Sequence, residues 1–262
     1  MDLGLSDKTA LVLGGSRGLG LGVAKALLAE GARVVITSRS KDSLEMARDA
    51  LPATDRSRCH VVDADLGAAD AGDRIVAGAQ SAVGPIDILV NNSGGPSPGA
   101  ASAVTLPELE SQFDKMVRPL IAITLKLVPA MRARRWGRVL TIASSGVLQP
   151  IPHLPVSNSL RSALVGYMKT LAGEVAKDGV TVNVLAPGRI ATDRTQSVDA
   201  SEAARTGRSI ETIAQDSAAS IPAGRYGTVE EFGAVAAFLA GVGASYVTGS
   251  IIRVDGGAIR SV

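Results

Sequence analysis

Gly14-Gly15-Ser16-Arg17-Gly18-Leu19-Gly20 is the segment whose residue types and spacing speak first of chemistry. It follows an apolar run at 9–13 and opens a helix-length stretch at 19–30. Small residues there let the chain turn tightly, admit a phosphate against the backbone and aim a helix N-terminus at its charge. A glycine-rich turn alone is often only a turn. The strand-before, helix-after context makes it a dinucleotide cradle, with Gly14, Ser16, Arg17, Gly18 and Leu19 facing the ligand.

The end of the second apolar run narrows the nucleotide. A site for a free ribose 2′-hydroxyl usually presents a carboxylate there, whereas this chain has Ser38-Arg39 and no acid until Asp42. A guanidinium binds a 2′-phosphate through paired charge-assisted hydrogen bonds, and a carboxylate would repel it. Ser38, Arg39 and Arg17 therefore predict NADP(H) over NAD(H).

Other reactive residues carry less. Cys59 is the one cysteine, which excludes a disulfide framework or a cysteine metal cluster and reads as a buried strand thiol. His60 lies beside it on the same strand. His153, in the stiff run Pro150-Ile151-Pro152-His153-Leu154-Pro155, reads first as a partly exposed loop residue and second as a proton donor. Arg132, Arg134, Arg135 and Arg138 form the one basic cluster, and with a net charge of only +2 it reads as a solvated helix end rather than a nucleic-acid contact.

These residues need elements to hold them. Apolar runs at 9–13, 33–37, 59–62, 86–90, 138–142, 181–185 and 251–254 alternate with amphipathic stretches at 19–30, 43–50, 70–83 and 229–239. Continuous apolar strands suit a parallel sheet covered on both faces. The alternation predicts an α/β, doubly wound Rossmann-type parallel sheet of about seven strands with helices on both faces, built as one domain over 1–262. Gly31 is placed to end the first helix. One long irregular tract, 189–207, follows a strand end, and a substrate lid is expected near 189–222. No apolar run is long enough for a membrane span and the N-terminus lacks a signal-peptide pattern, so a cytoplasmic protein is expected.

The glycine turn belongs to an ordered set. Asp65-Leu66 follows the third run, Asn91-Asn92-Ser93-Gly94 the fourth, and Gly137-Arg138-Val139 leads to Ser144. Asn183, Pro187-Gly188 and Tyr246-Val247-Thr248-Gly249 with Val254-Asp255-Gly256-Gly257 complete it. In this order the chain resembles the single-domain short-chain dehydrogenases/reductases, in the pattern of 3-oxoacyl-carrier-protein reductases, over roughly 5–257. The resemblance implies that Asp65 and Leu66 meet the adenine, and that Asn92 and Gly94 lie along ribose. It places Pro187, Gly188, Ile190 and, less firmly, Thr192 against the nicotinamide. It also implies a small carbonyl or alcohol substrate and a homo-oligomer, as a tetramer.

The resemblance breaks at the chemistry. Family members use a serine to hold the substrate oxygen, a tyrosine to supply the proton, and a lysine four residues on to lower that tyrosine's pKa and bind ribose. Ser144 fits the serine, but Ser157 stands at the tyrosine and Arg161 at the lysine, while Met116 replaces a supporting asparagine. Four residues beyond Tyr167, Tyr226 and Tyr246 stand Leu171, Glu230 and Ser250, so no Tyr-x-x-x-Lys exists in the chain. Ser144, Ser157 and Arg161 are the candidate catalytic set, with Arg161 also a ribose contact. A scaffold or sensor that binds NADP(H) without turnover is the rival reading. Arg118, Arg189 and Arg194 read as exposed charges, with an anchor for an anionic substrate as the alternative.

Overall fold

The computed structural model describes residues 2–261. Seven strands form: β1 (Thr9–Val12), β2 (Arg33–Ser38), β3 (Cys59–Asp63), β4 (Ile88–Asn91), β5 (Gly137–Ile142), β6 (Val180–Pro187) and β7 (Ile251–Val254). All neighbours pair in parallel, in the order β3-β2-β1-β4-β5-β6-β7. The expected sheet is the one observed. β4 starts two residues later than expected, at Ile88, although the Asp87 backbone already bonds to Thr9 and Arg138.

Among the described residues, ten α-helices cover it. They are α1 (Gly18–Ala29), α2 (Lys41–Asp49), α3 (Ala53–Arg56), α4 (Ala71–Val83), α5 (Leu106–Met116), α6 (Arg118–Ala133), α7 (Pro155–Val175), α8 (Asp193–Thr206), α9 (Ile210–Ala219) and α10 (Val229–Ala240). Strand side chains alternate between faces, so two cores form. Leu11, Val35, Leu89 and Val139 pack with α4, α6 and α7 through residues such as Ile75, Leu120 and Leu164. Val12, Ile36, Val90 and Leu140 pack with α1 and α10 through Leu27 and Phe232. Gly31, at φ +90°, turns the chain from α1 into β2.

The tract at 189–207 is not irregular. It contains α8, which begins where the Thr192 hydroxyl accepts from the Thr195 N–H at 3.3 Å and ends at Gly207 with φ +70°. Periodicity could not reveal this helix, since Asp199 and Ala203 are its only buried residues. Asp199 secures it instead: Tyr226 Oη donates to Asp199 at 2.9 Å and Arg189 pairs with the same carboxylate.

Candidate active site

The strand order reverses between β1 and β4, and the carboxyl ends of those strands are where ligands bind in such sheets. Gly14 and Gly18 take φ values of +61° and +55°, which only glycine adopts without strain. Gly20 permits the turn itself, because a Cβ there would stand 2.2 Å from the Gly14 carbonyl. α1 then starts with no side-chain cap and no acid in its first turn, leaving its N–H groups for an anion. Ser16 and Leu19 are half-buried along this turn. Arg17 is exposed and faces Asp193 at 3.4 Å, while Arg39 is exposed with no ion pair among the described residues. Ser38 Oγ donates to the Ser40 carbonyl at 3.1 Å, holding the corner from which Arg39 projects. Asp65 accepts from the Gly67 N–H at 3.0 Å, fixing the turn beside Leu66. These features fit a dinucleotide with a 2′-phosphate.

The β4 end bears two different functions. Asn92 Nδ2 donates to the Leu13 and Gly14 carbonyls at 3.1 and 3.2 Å, so its amide braces the glycine loop rather than projecting freely toward a ribose. Gly94 is exposed, and a Cβ there would meet nothing within 4 Å, so no protein atom crowds that side of the turn.

Ser157 and Arg161 lie one turn apart on α7 and are 6% and 8% exposed. Arg161 is spread across three backbone carbonyls: Nη1 donates to Ile142 at 3.0 Å, and Nη2 to Ser93 at 3.4 Å and Gly94 at 3.2 Å. Burial lowers its pKa to about 10, and the nearby Arg194 cation adds to the effect. Ser144 Oγ accepts from the Gly146 N–H at 3.0 Å, which leaves its hydroxyl hydrogen to donate. Gly146 lies between Ser144 Oγ and Asn158 Oδ1, so the end of β5 and the first turn of α7 meet there. Sequence reasoning missed Asn158. Its side chain grips both the N–H and the carbonyl of Ile151, at 3.3 and 2.9 Å, and nothing in the local pattern distinguishes it from a surface asparagine.

The remaining candidates separate. Pro187, Gly188 and Ile190 run past the carboxyl end of β6, where a Cβ on Gly188 would meet Asp255 Cα at 2.7 Å. Thr192 caps α8 and its methyl comes closest to the face of Gly18, which brings α8 against the glycine loop. Met116 is buried where α5 breaks before α6. His153 is exposed at φ +60°, with its carbonyl accepting from the Gly99 N–H at 2.8 Å. Arg118 pairs with Asp114 at 3.3 Å on the surface.

The basic cluster is not a uniform solvated helix end. Arg132 pairs with Asp178, Arg134 with Asp87, and Arg135 donates to the Lys177 carbonyl. Arg138 is 2% exposed within β5, where both faces of the strand are covered and every residue is buried, and it lies 4.4 Å from the Trp136 ring centroid.

The family model described as enoyl-(acyl carrier protein) reductase matches residues 14–258. The 3-oxoacyl-[acyl-carrier-protein] reductase of Salmonella typhimurium is 33% identical over 259 residues, covering 97% of this chain and 98% of that protein. This chain is a short-chain dehydrogenase/reductase. Within the family, the NADPH-dependent reductase BacG of Bacillus subtilis is 29% identical, covering 98% of this chain and 100% of that one. L-sorbose reductase of Gluconobacter frateurii, solved with NADPH and L-sorbose, superposes with a TM-score of 0.93 at 32% identity over 100% of both chains. A short-chain dehydrogenase/reductase is an oxidoreductase, and this one has no helix among the described residues long and apolar enough to cross a membrane.

Proposed function

We propose that the chain is an NADP(H)-dependent oxidoreductase that interconverts a carbonyl and an alcohol at the β4–β5 edge, with Ser144, Ser157 and Arg161 as its catalytic set. The observation that carries this reading is one of placement. The uncapped α1 cradle and the buried Ser157–Arg161 face flank the same strand reversal, joined by the turn at 92–94. Arg17, Ser38 and Arg39 would hold the 2′-phosphate, Asp65 and Leu66 the adenine, Gly94 and Arg161 the ribose with Asn92 bracing the glycine loop beside it, and Pro187, Gly188, Ile190 and Thr192 the nicotinamide. Bound there, the reduced nicotinamide supplies a hydride.

The residues of the chain handle the oxygen. Ser144 donates its free hydroxyl hydrogen to the carbonyl oxygen while Gly146 fixes the side chain. Ser157, an alkyl alcohol, is a poorer acid than a phenol and passes the proton together with a water. Arg161, lowered to about 10, remains a cation at pH 7 and polarises the oxygen without relaying a proton. Loss of a positioned phenol costs about 10²–10⁴ in rate. Helices α8 and α9 act as the substrate lid. Exposed Leu106, Phe113 and Leu125 on α5 and α6 support a homotetramer, which light scattering would reveal.

A second reading, a binding scaffold without turnover, draws on the commitment of Ser144 Oγ and Arg161 to backbone partners. One experiment separates the two. NADPH is titrated calorimetrically, then turnover is measured on ketones, quinones and oxoacyl thioesters for the native chain and for Ser157→Tyr with Arg161→Lys. Native turnover, raised by the double substitution, supports the enzyme. Binding with no turnover in either protein supports the scaffold, and absence of NADPH binding overturns both.

A further inference from the structure

Arg161 and Arg194 approach the turn at 93–96 from two elements. Arg161 rises from α7 and holds the carbonyls of Ser93 and Gly94. Arg194 reaches from α8, where its Nη2 donates to the Pro96 carbonyl at 2.6 Å. Its guanidinium lies against Gly95, where an added Cβ would be 3.2 Å from Nη2 and 3.5 Å from Nε. Neither arginine forms an ion pair among the described residues.

The nearby acids are already committed. Asp193 faces Arg17, Asp199 faces Arg189 and Tyr226, and Glu202 pairs with Arg205. Asp255 accepts from the Gly257 and Ile259 N–H groups. Two cations thus share one turn with only carbonyl dipoles to answer them. A buried charge without a counterion is costly, and a second cation beside it adds repulsion. Burial first, and then the neighbouring Arg194 cation, lower the pKa of Arg161, and desolvation lowers that of Arg194. An anion would relieve both. Arg194 is exposed, so a ligand can reach it, and its Nη1 and Nε have no partner among the described residues. Nη2 keeps a second N–H beside Nη1, and that planar pair matches a carboxylate with two parallel hydrogen bonds.

We propose that Arg194, backed by Arg161, is the receptor for a carboxylate on the substrate, so that the carbonyl compound reduced here is an oxo acid. This rests on the reductase reading above and names its substrate class. Arg194 would be a specificity-determining residue, fixing the acid while Ser144 and Ser157 meet the carbonyl oxygen.

The test pairs 2-oxo and 3-oxo acids of four to eight carbons with their methyl esters. Binding is measured calorimetrically in the presence of NADP⁺, where no carbonyl reduction can occur, and turnover is measured separately with NADPH. At least one acid should bind roughly 10- to 100-fold more tightly than its ester, the range of one charge-assisted pair. Arg194→Met should erase that difference while leaving NADP⁺ affinity within about twofold, and Arg194→Lys should restore part of it. Equal binding of acids and esters overturns the proposal. So does an Arg194→Met protein that loses NADP⁺ affinity and keeps its acid preference, which would assign Arg194 to the cofactor diphosphate. Acid-selective binding with no turnover on any carbonyl sustains the receptor and removes the reductase reading. Turnover of esters as fast as acids, with no binding difference, does the reverse.

Discussion

The guanidinium of Arg194 donates to the carbonyl of Pro96 at 2.6 Å, joining residues 98 apart in sequence. The contact brings α8 down onto the turn after β4. A second contact from the same helix start, Arg17 to Asp193, spans to the glycine loop. Helix α8 therefore touches both sides of the strand reversal. The Arg17–Asp193 pair is exposed and contributes little by itself, since such pairs are worth about 0–1 kcal/mol.

Two glycine substitutions should behave oppositely. Gly20→Ala drives a Cβ to 2.2 Å from the Gly14 carbonyl, and backbone cannot yield cheaply. It should cost about 2–3 kcal/mol in urea denaturation and weaken NADPH binding with it. Gly94→Ala meets no atom within 4 Å and should leave stability within about 0.5 kcal/mol. Its NADPH affinity should nevertheless fall roughly tenfold or more, equivalent to about 1.4 kcal/mol, if that space belongs to the cofactor. Unchanged affinity in Gly94→Ala would remove Gly94 from the site.

Arg39 supplies the clearest cofactor test, because it is exposed and without an ion pair among the described residues. Arg39→Glu should weaken NADPH roughly 10- to 100-fold, the equivalent of about 1.5–3 kcal/mol, with little effect on NADH. The native preference for NADPH should also shrink as salt is raised, since an exposed charge is screened. Calorimetry on both nucleotides at two salt concentrations reads this directly.

Asp199 should matter to the anchoring of α8 more than to the chemistry. The residue is 2% exposed, and its carboxylate answers both Arg189 and Tyr226. Asp199→Ala leaves those groups without their partner. Breaking a fully buried pair costs 3–5 kcal/mol, and the partial exposure of Arg189 reduces this to about 2 kcal/mol. Limited proteolysis should then cut within α8 before the rest of the domain. Equal resistance in the two proteins would show that α8 is held by other contacts.

Cys59 predicts the alkaline behaviour. Burial raises its thiol from 9.0 to about 11, so between those values the folded state keeps a proton that the unfolded chain releases. Stability must fall as pH rises through this window. At pH 10 the thiol's contribution is about 1.4 kcal/mol below its neutral value. Cys59→Ala lacks the effect, so any stability advantage of the native chain should narrow between pH 7 and pH 10. Denaturation of both proteins at the two values isolates the thiol, because the other titrating groups are common to both.

The strands were legible because fully buried parallel strands write themselves as runs rich in apolar residues, as Ala10, Leu11 and Val12 do in β1. The glycine turn was legible because its backbone angles demand particular residues. α8 was not, since a helix held by end caps and one buried carboxylate needs no apolar stripe. Arg138 was misplaced with its neighbours because charge type outweighed its position in a strand. At the site, Ser144, Ser157 and Arg161 could be numbered from the resemblance. The three carbonyls that Arg161 holds could not, for backbone acceptors carry no residue signature. Arg194 presented the same difficulty: its partner, the Pro96 carbonyl, is equally anonymous in sequence.

Asn92 lies at the seam of the sheet, with its side chain fastened to the Leu13 and Gly14 carbonyls and its backbone leading into the turn that Arg161 and Arg194 clasp. A nucleotide that moves the glycine loop must therefore tug on the turn through that amide. If loop and turn shift together, ligands should bind in sequence, nucleotide first, and order-of-addition kinetics would read it.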